Sequence, residues 1–397
     1  MKVLIAGGGI GGLVAAIALA RRGFEVEVLE QQTEPRELGA GITIWANGAR
    51  VLSALGLDAL LEPVKSFVPG SRLRHGRSGR IVAGGSLGEP YAARFGFPMY
   101  GLHRGDLRNS LMTVAHGSPR VRIHLGQRVM SVTQSADRVS IETERGMRAT
   151  GDALIGADGI HSVVRSAVAG PEEPRFSGEV VWRALVRRER LTGAAAEAAR
   201  YSSIWAGRDR HFLNYPVRGE QLLNLGGFVE SDEWQSESWT EPGKKSDFDR
   251  LFARFHSIVR EMIDAADECF VQAIHERAPL ERWFAGRAVL LGDALHAAPP
   301  HLGQGAGMAI EDAMVLARLM GEHGSDPVAA FQAYQHKRQG RIARFKAAVI
   351  QAGRMFNYGN PVRGALVYGV AFAMTRLRPQ PGSPQSHWLD TYDALED

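Results

Sequence analysis

The chain has 397 residues, 45% of them apolar and 23% charged, and a formal net charge of +4. That length exceeds what one compact core usually holds, so two closely packed domains are expected, and the ordinary composition excludes extensive disorder. The small excess of Lys and Arg is scattered rather than gathered into a nucleic-acid patch; the single Cys269 excludes a disulfide framework and any multi-cysteine metal centre, and fits a reducing, cytoplasmic setting.

Residues 2–6, KVLIA, read as a short buried strand running straight into glycines. The apolar N-terminus superficially resembles a secretion signal, but five glycines among residues 7–12 would break its helix. The stretch also ends in Arg21-Arg22 without a small-residue cleavage site. Gly23 stops the helix-period segment, and EVEVLE at 25–30 is a second strand. This strand–turn–helix–strand unit begins a doubly wound parallel sheet. Residues 121–144 alternate like an antiparallel meander. So do VVWRALV, HFLNYPV and LLNLGGFV within 179–229, which read as an antiparallel sheet inserted over the parallel one. ALIGADG (153–159) and AVLLGDA (288–294) are apolar strands ending in Gly/Asp turns. Ligands of parallel sheets bind at strand carboxyl ends, so the three turns are expected to converge on one cofactor. A long helix is expected from Gln304 to about His323 and another over 327–355. Beyond Arg378, PQPGSP reads as an exposed linker to a tail with Trp388 and Tyr392. No segment supplies the ~18 uninterrupted apolar residues of a membrane span.

Gly7, Gly9 and Gly12 fit the G-x-G-x-x-G pattern. The first permits the tight turn, the second lets backbone approach a pyrophosphate, and the third lets helix and strand pack closely. The helix N-terminus behind them offers free N–H groups and partial positive charge to the phosphates. Glu30, eighteen positions past Gly12, stands where a carboxylate can hold the ribose hydroxyls, with Gly11 and Gln31 as neighbouring contacts. The pattern indicates a dinucleotide without separating FAD from NAD. In the later turns, Asp158 and Asp293 each follow a buried strand directly; each taken alone is equally readable as a helix cap or turn former.

Taken together with LHRGDLR at 102–108, these motifs resemble the single-component flavoprotein aromatic hydroxylases, which have the para-hydroxybenzoate hydroxylase fold. The resemblance runs over nearly the whole chain, including W-L-x-x-Y-D at 388–393. It implies an α/β protein: a doubly wound, Rossmann-like FAD-binding domain (residues 1–72, 98–176 and 268–345), an inserted antiparallel-sheet substrate domain (73–97 and 177–267) and a helical C-terminal part (346–397). It further implies that Asp158 lies beside the flavin, that Arg104 contacts FAD, that Asp293 holds a ribityl hydroxyl, and that Val129 meets the adenine through its backbone. Pro299-Pro300 stiffen the approach to a helix starting near Gln304-Gly305-Ala306-Gly307, whose N-terminus would face the flavin pyrimidine. No second G-x-G-x-x-G unit is present, so NADH or NADPH is expected as a transient co-substrate. The lack of C-x-x-C argues against a disulfide reductase.

The implied reaction is hydride transfer from NAD(P)H to FAD, then addition of O2 to give a flavin C4a-hydroperoxide that hydroxylates an activated ring. The protein's own acid–base task is to take a proton from the substrate hydroxyl. His211 and Tyr215 lie four apart in HFLNY and share a strand face, and His301 follows Pro300 ahead of the flavin-facing helix. These three are the catalytic candidates, although a satisfied sheet histidine and a core tyrosine are the plainer readings. His296 is expected to pack the GD turn, and Cys269 to be inert core. Arg183, a charge in an apolar strand, needs a partner: flavin, substrate carboxylate or a structural acid. With Thr43 and Pro300 it completes the candidate substrate contacts. The His/Tyr strand and PHxxQG loop are most similar to 6-hydroxynicotinate 3-monooxygenases, near the 3-hydroxybenzoate 6-hydroxylases and salicylate hydroxylases. Where the first group has a His after its GAG, this chain has Thr43, which leaves a benzenoid acid equally open. The expected partners are a small aromatic acid and O2, in the catabolism of aromatic compounds, with no nucleic acid, membrane or metal, and a homodimer as the default. The alternatives are the same fold on a quinolone, urate or isoprenoid, and a non-catalytic FAD-binding sensor.

Overall fold

A computed structural model describes residues 1–34, 41–232, 241–357 and 387–396. Strands are numbered along the chain as β1–β20 and helices as α1–α13. In β1 (Lys2–Ala6), Val3 to Ala6 are fully enclosed, as a central parallel strand covered on both faces must be. Helix α1 (Ile10–Ala20) carries it over to β2 (Glu25–Glu30), and all eleven α1 residues are buried between the sheet and neighbouring helices. The main sheet runs β19 (Phe284–Ala285), β20 (Ala288–Leu290), β12 (Ala153–Gly156), β1, β2, β8 (Val121–Leu125), parallel except for the β19 edge. The strands before all three Gly/Asp turns are therefore adjacent, and their carboxyl ends share one edge.

The expected meander over 121–144 is corrected at its first strand. β8 pairs in parallel with β2 at the edge of the main sheet, Val26 opposite Val121, with Val121 buried and Ile123 half-buried. The antiparallel meander is instead β9 (Val129–Gln134), β10 (Val139–Thr143) and β11 (Arg148–Gly151). A small antiparallel sheet joins β3 (Gly41–Ile44), β7 (Tyr100–His103) and β4 (Ser66–Phe67).

The inserted sheet has eight strands. Their order is β17 (Glu241–Gly243), β18 (Cys269–Glu276), β13 (Arg175–Arg187), β16 (Leu222–Glu230), β15 (Arg210–Val217), β14 (Ser202–Ala206), β5 (Gly70–His75), β6 (Ile81–Ser86). Every neighbouring pair is antiparallel except β14 with β5. β18 belongs here although its residues fall in the stretch read as cofactor domain. Alternation divides the side chains between two faces. Val180, Trp182, Val186, Phe212 and Leu225 pack under α7 (Gly193–Ala198), α8 (Lys245–Phe252) and α9 (Ser257–Asp264), with Phe248, Phe252 and Met262. The opposite face carries Val181, Leu213, Phe228 and Ile274 together with the polar candidates.

The remaining helices are α2 (Ala46–Ala54), α3 (Asp58–Leu61), α4 (Glu89–Phe95), α5 (Arg104–His116), α6 (Val163–Ala169), α10 (Asp293–His296), α11 (Gly305–His323), α12 (Pro327–Phe356) and α13 (His387–Asp390). Both long helices fall where the periodicity puts them, and Asp326 caps α12 by accepting from Val328 and Ala329 at 3.1 and 3.0 Å. Residues 379–384, read as a linker, lie outside the described residues.

Helices α11 and α12 are joined by buried charge. Arg338, with no exposed surface, donates to Glu311 at 2.6 Å and Asp312 at 2.8 Å, and Arg341 forks onto Glu311 at 2.7 Å through both Nε and Nη2. Burial would push the Asp312 carboxyl up, but Arg338 and His296 more than offset that and hold it down at about 2. Arg341 also donates to the carbonyls of Trp388 and Leu389, and its guanidinium lies over the Trp388 and Tyr392 rings, which docks the tail. Asp390 is fully buried there, bonded by Gln304 at 3.3 Å. Desolvation, only partly countered by Tyr91, Arg341 and Gln304, raises its carboxyl to about 7.

Replacing Arg338 by Met removes the cation shared by two buried carboxylates, and denaturant unfolding should show a loss of about 3–5 kcal/mol; a loss under 1 kcal/mol would contradict the network. Asp390 behaves oppositely to a paired acid. Its raised pKa means its contribution is complete below the unfolded value, near 4, and is lost as pH climbs through about 7. The melting temperature of Asp390→Asn relative to the parent should therefore rise between pH 5 and pH 8, and a pH-independent difference would refute this.

Candidate active site

The first glycine turn is shaped by contact. Gly7 has φ +101°, and a Cβ on it would lie 2.3 Å from the Ala157 carbonyl oxygen; one on Gly12 would lie 2.0 Å from the Gly7 oxygen. A Cβ on Gly9 would meet no protein atom within 4 Å, and Gly9 heads α1 without a side-chain cap. The turn is thus closed where it packs on protein and open where the helix amides point. Glu30 is buried and braces the turn, accepting from Gly8 N at 2.7 Å and Gln32 N at 2.8 Å. Arg108 donates Nε to the Gly8 carbonyl at 3.1 Å, while its Nη1 and Nη2 are buried without a hydrogen-bond partner. Nη2 lies 4.0 Å from Glu30 Oε2, and two guanidinium nitrogens without hydrogen bonds beside uncapped helix amides fit a pyrophosphate. The sequence reading did not single out Arg108, although it ends the quoted LHRGDLR motif. Gln31 is exposed beyond Glu30, and Val129 opens β9 with its side chain buried.

The second turn gives its acid a structural role. Asp158 accepts from Ser162 Oγ at 2.5 Å and from the amides of Val163 and Val164 at 2.8 and 3.2 Å, so its carboxylate is consumed in capping α6. The turn still contributes by packing Ala157 against Gly7. At the third, Gly292 (φ +60°) leads to Asp293, exposed at the head of α10. His296 is buried with Nε2 donating to Asp312 at 2.5 Å, a packing role as expected. Arg104 is exposed at the first position of α5, and Asp106 two residues on takes Arg218 from the β15–β16 turn at 2.9 Å, joining the two domains.

Helix α11 begins at Gly305 with no side-chain cap, Gly305 exposed and Ala306 half-buried, so its first amides remain free for an anionic edge. Pro300 is exposed just before His301. Thr43 does not reach outward: its hydroxyl donates to the Gly303 carbonyl at 2.9 Å and fixes the loop ahead of α11. Gly41 lies against the inserted sheet, its N–H donating to Asn224 at 2.8 Å, and a Cβ there would sit 2.8 Å from the Tyr215 ring.

On the exposed-to-cofactor face of the inserted sheet the polar groups form two clusters. Tyr215 and Arg183 occupy one end. Arg183 donates to the neutral Gln272 amide at 3.2 Å, and no carboxylate among the described residues pairs with it. Its structural-acid reading therefore falls away. Burial lowers the Arg183 pKa and raises that of Tyr215, each tempered by the other. The other end lies four residues along β15 from Tyr215, roughly 13 Å. There His211 stacks on Phe228 (4.4 Å, 6°) and lies 5.5 Å from the His301 ring. His301 Nε2 meets Glu179 Oε2 at 2.9 Å, Asn357 Nδ2 donates to Glu179 Oε1 at 2.6 Å, and Asn357 Oδ1 meets His211 Nδ1 at 2.7 Å. Burial, with His301 alongside, drops the His211 pKa to about 4, so it is neutral at pH 7. Burial would raise the Glu179 carboxyl, but His301, His211 and Asn357 together lower it. Ligand atoms of Glu179, His211 and His301 lie within 4.8 Å of one another, a spacing that also suits a cation, while His211 Nδ1, His301 Nε2 and both Glu179 oxygens are engaged with one another or with Asn357. Glu179 and Asn357 were missed by sequence reading; a Glu opening an apolar strand was the one available signal. Chemically the cluster is a pair of buried imidazoles backed by a carboxylate, able to take a proton from a weakly acidic hydroxyl.

The sequence matches the FAD binding domain family over residues 1–348. It is 35% identical to a 3-amino-4-hydroxybenzoate 2-monooxygenase of Streptomyces platensis over 90% of this chain and 88% of that protein. Identity is also 35% to a 3-hydroxybenzoate 6-hydroxylase of Polaromonas naphthalenivorans, over the same shares. Among solved structures, HpxO of Klebsiella pneumoniae complexed with FAD and uric acid superposes with a TM-score of 0.84 at 28% identity, covering 95% of this chain and 94% of that one.

If Arg108 holds the pyrophosphate, Arg108→Met should weaken FAD binding about 10- to 100-fold, the worth of a charge-assisted pair. Quenching of FAD fluorescence on titration with apoprotein measures it, and an unchanged Kd would remove Arg108 from the site.

Proposed function

The chain belongs to the FAD binding domain family and is a flavin-dependent monooxygenase; from that premise we propose that it hydroxylates a small aromatic hydroxy acid of the hydroxybenzoate kind, with NAD(P)H as reductant. The observation that carries the substrate class is the two-ended face of the inserted sheet. At one end two buried imidazoles stand ready for a ring hydroxyl, and at the other half-buried Arg183, beside Tyr215, has the neutral Gln272 amide as its hydrogen-bond partner. Apolar Val181, Leu213 and Phe228 lie on the same face and suit an aromatic ring.

Bound FAD, once reduced, supplies the activation of O2. The Gly7–Gly12 turn, Glu30 and Arg108 would hold its dinucleotide part, with Arg104 and Asp293 along its length and the free amides of Gly305 and Ala306 at its ring edge. His301 and His211 orient the substrate hydroxyl and remove its proton, Arg183 and Tyr215 hold the carboxylate, and Phe228 and its apolar neighbours exclude water. The single unpaired cysteine, buried with its thiol pushed up by desolvation, supports a reducing cytoplasmic setting.

A panel of hydroxybenzoates, hydroxynicotinates and urate, offered to purified protein with NADH or NADPH and O2, tests the reading by cofactor oxidation and product mass. Failure of every hydroxybenzoate to stimulate oxidation would reject the substrate class. For a substrate that is turned over, His211→Ala with His301→Ala should slow hydroxylation by on the order of 10²-fold or more and divert reducing equivalents to hydrogen peroxide. Unchanged coupling would exclude both histidines from the chemistry.

A further inference from the structure

We propose that Glu179 is a positioning residue that fixes the protons of both histidines, so that His301 offers an unprotonated Nδ1 and His211 an unprotonated Nε2 to the substrate. The roles of those two atoms rest on the hydroxylase reading above; the proton arrangement itself does not.

The argument is a count of donors. An ionised carboxylate can only accept, and Glu179 has a contact on each oxygen. On Oε2, His301 must therefore carry its proton at Nε2. On Oε1, Asn357 must present its NH2 group, which turns its carbonyl oxygen toward His211. A carbonyl also only accepts, so His211 must be protonated at Nδ1, leaving Nε2 with the lone pair. One carboxylate thus sets the tautomers of two rings, the second through an amide relay.

Independent observations agree. His301 Nδ1 is buried and without a hydrogen-bond partner, which is costly unless a ligand hydroxyl meets it. The rings cannot easily turn away. A Cβ at Gly353 would lie 2.7 Å from His301 Nε2, and His211 is clamped flat against Phe228. Asn357 is held by its N–H to the Gly353 carbonyl at 2.9 Å and by a bridge to Gly207. The ionisable groups around the relay are Glu179, the two histidines and Glu230, which bonds Asn357 and whose carboxyl burial raises. When a phenolic O–H bond breaks and its proton forms a bond to His301 Nδ1, the products are a phenolate and an imidazolium. Glu179 lies already paired with that imidazolium, so the charge is met without rearrangement.

The test is parity. In Glu179→Gln the central group accepts at one atom and donates at the other, so one side of the relay must reverse. Either His301 shifts to Nδ1–H, or Asn357 flips and His211 shifts to Nε2–H. Two-bond 1H–15N correlation spectra of 15N-histidine-labelled protein report each ring's tautomer, with His211→Gln and His301→Gln assigning the signals. We expect one inverted ring in Glu179→Gln. In Asn357→Ala, which cuts the relay, His211 alone should become a tautomer mixture. Both rings unchanged in Glu179→Gln, or His211 unchanged in Asn357→Ala, overturns the proposal. With whichever hydroxybenzoate the parent enzyme turns over, Glu179→Gln should lower kcat on the order of 10²-fold and shift its pH profile, with KM changed only a few-fold. Unaltered kcat and pH profile likewise overturn it. Absence of turnover in the parent enzyme would reject the hydroxylase reading, while the spectra still decide the proton arrangement.

Discussion

Two consecutive carboxylates, Glu311 and Asp312, sit in the interior with no exposed surface, and the geometry of the site follows from how they are neutralised. Ions in a low-dielectric interior must be matched by partners in fixed positions. Arg338 and Arg341 come from α12, Asn47 from α2 and His296 from α10. Gly292 adds its N–H to Asp312 at 3.2 Å. Satisfying one pair of charges therefore fixes the third glycine turn, the position of α11, and the tail that Arg341 grips. The uncapped N-terminus of α11 is aimed by a network two turns further along the same helix.

The inserted sheet solves a different problem. Strand alternation gives it one face for its own helical cover and leaves the other to the cofactor domain. On that second face, polar side chains are tolerable only with partners. The Glu179 cluster has them internally, and Asn224 finds one in the Gly41 amide. Arg183 has little beyond Gln272, and His301 Nδ1 has none among the described residues. Both groups lie on the face turned toward the glycine turns, where a bound ligand could supply a partner.

The shape of the first glycine turn was legible before any coordinates. A positive φ at Gly7 and a backbone contact at Gly12 are demands that glycine alone meets, so they mark the sequence directly. Buried parallel strands write themselves as apolar runs, which put the three turns on one edge. The same reasoning misplaced residues 121–125, because an apolar strand at a sheet edge does not state which neighbour it pairs with. It also left Asp158 readable as a cap, and the hydrogen bonds from Ser162, Val163 and Val164 show that role.

The sequence by itself determined the dinucleotide turn, the order of elements and the shared face of His211 and Tyr215, since each follows from local backbone sterics or a short-range period. Only the tertiary structure decided that His211 joins His301 rather than Tyr215, that Thr43 is spent on Gly303, and that Glu179 and Asn357 belong to the site at all. Asn357 and Glu179 meet across 178 residues of chain, and Asn357 and His211 across 146. Hydrogen bonds over such separations leave no periodic trace, because the pairing is chosen by how whole elements pack, not by what lies beside each residue in the chain.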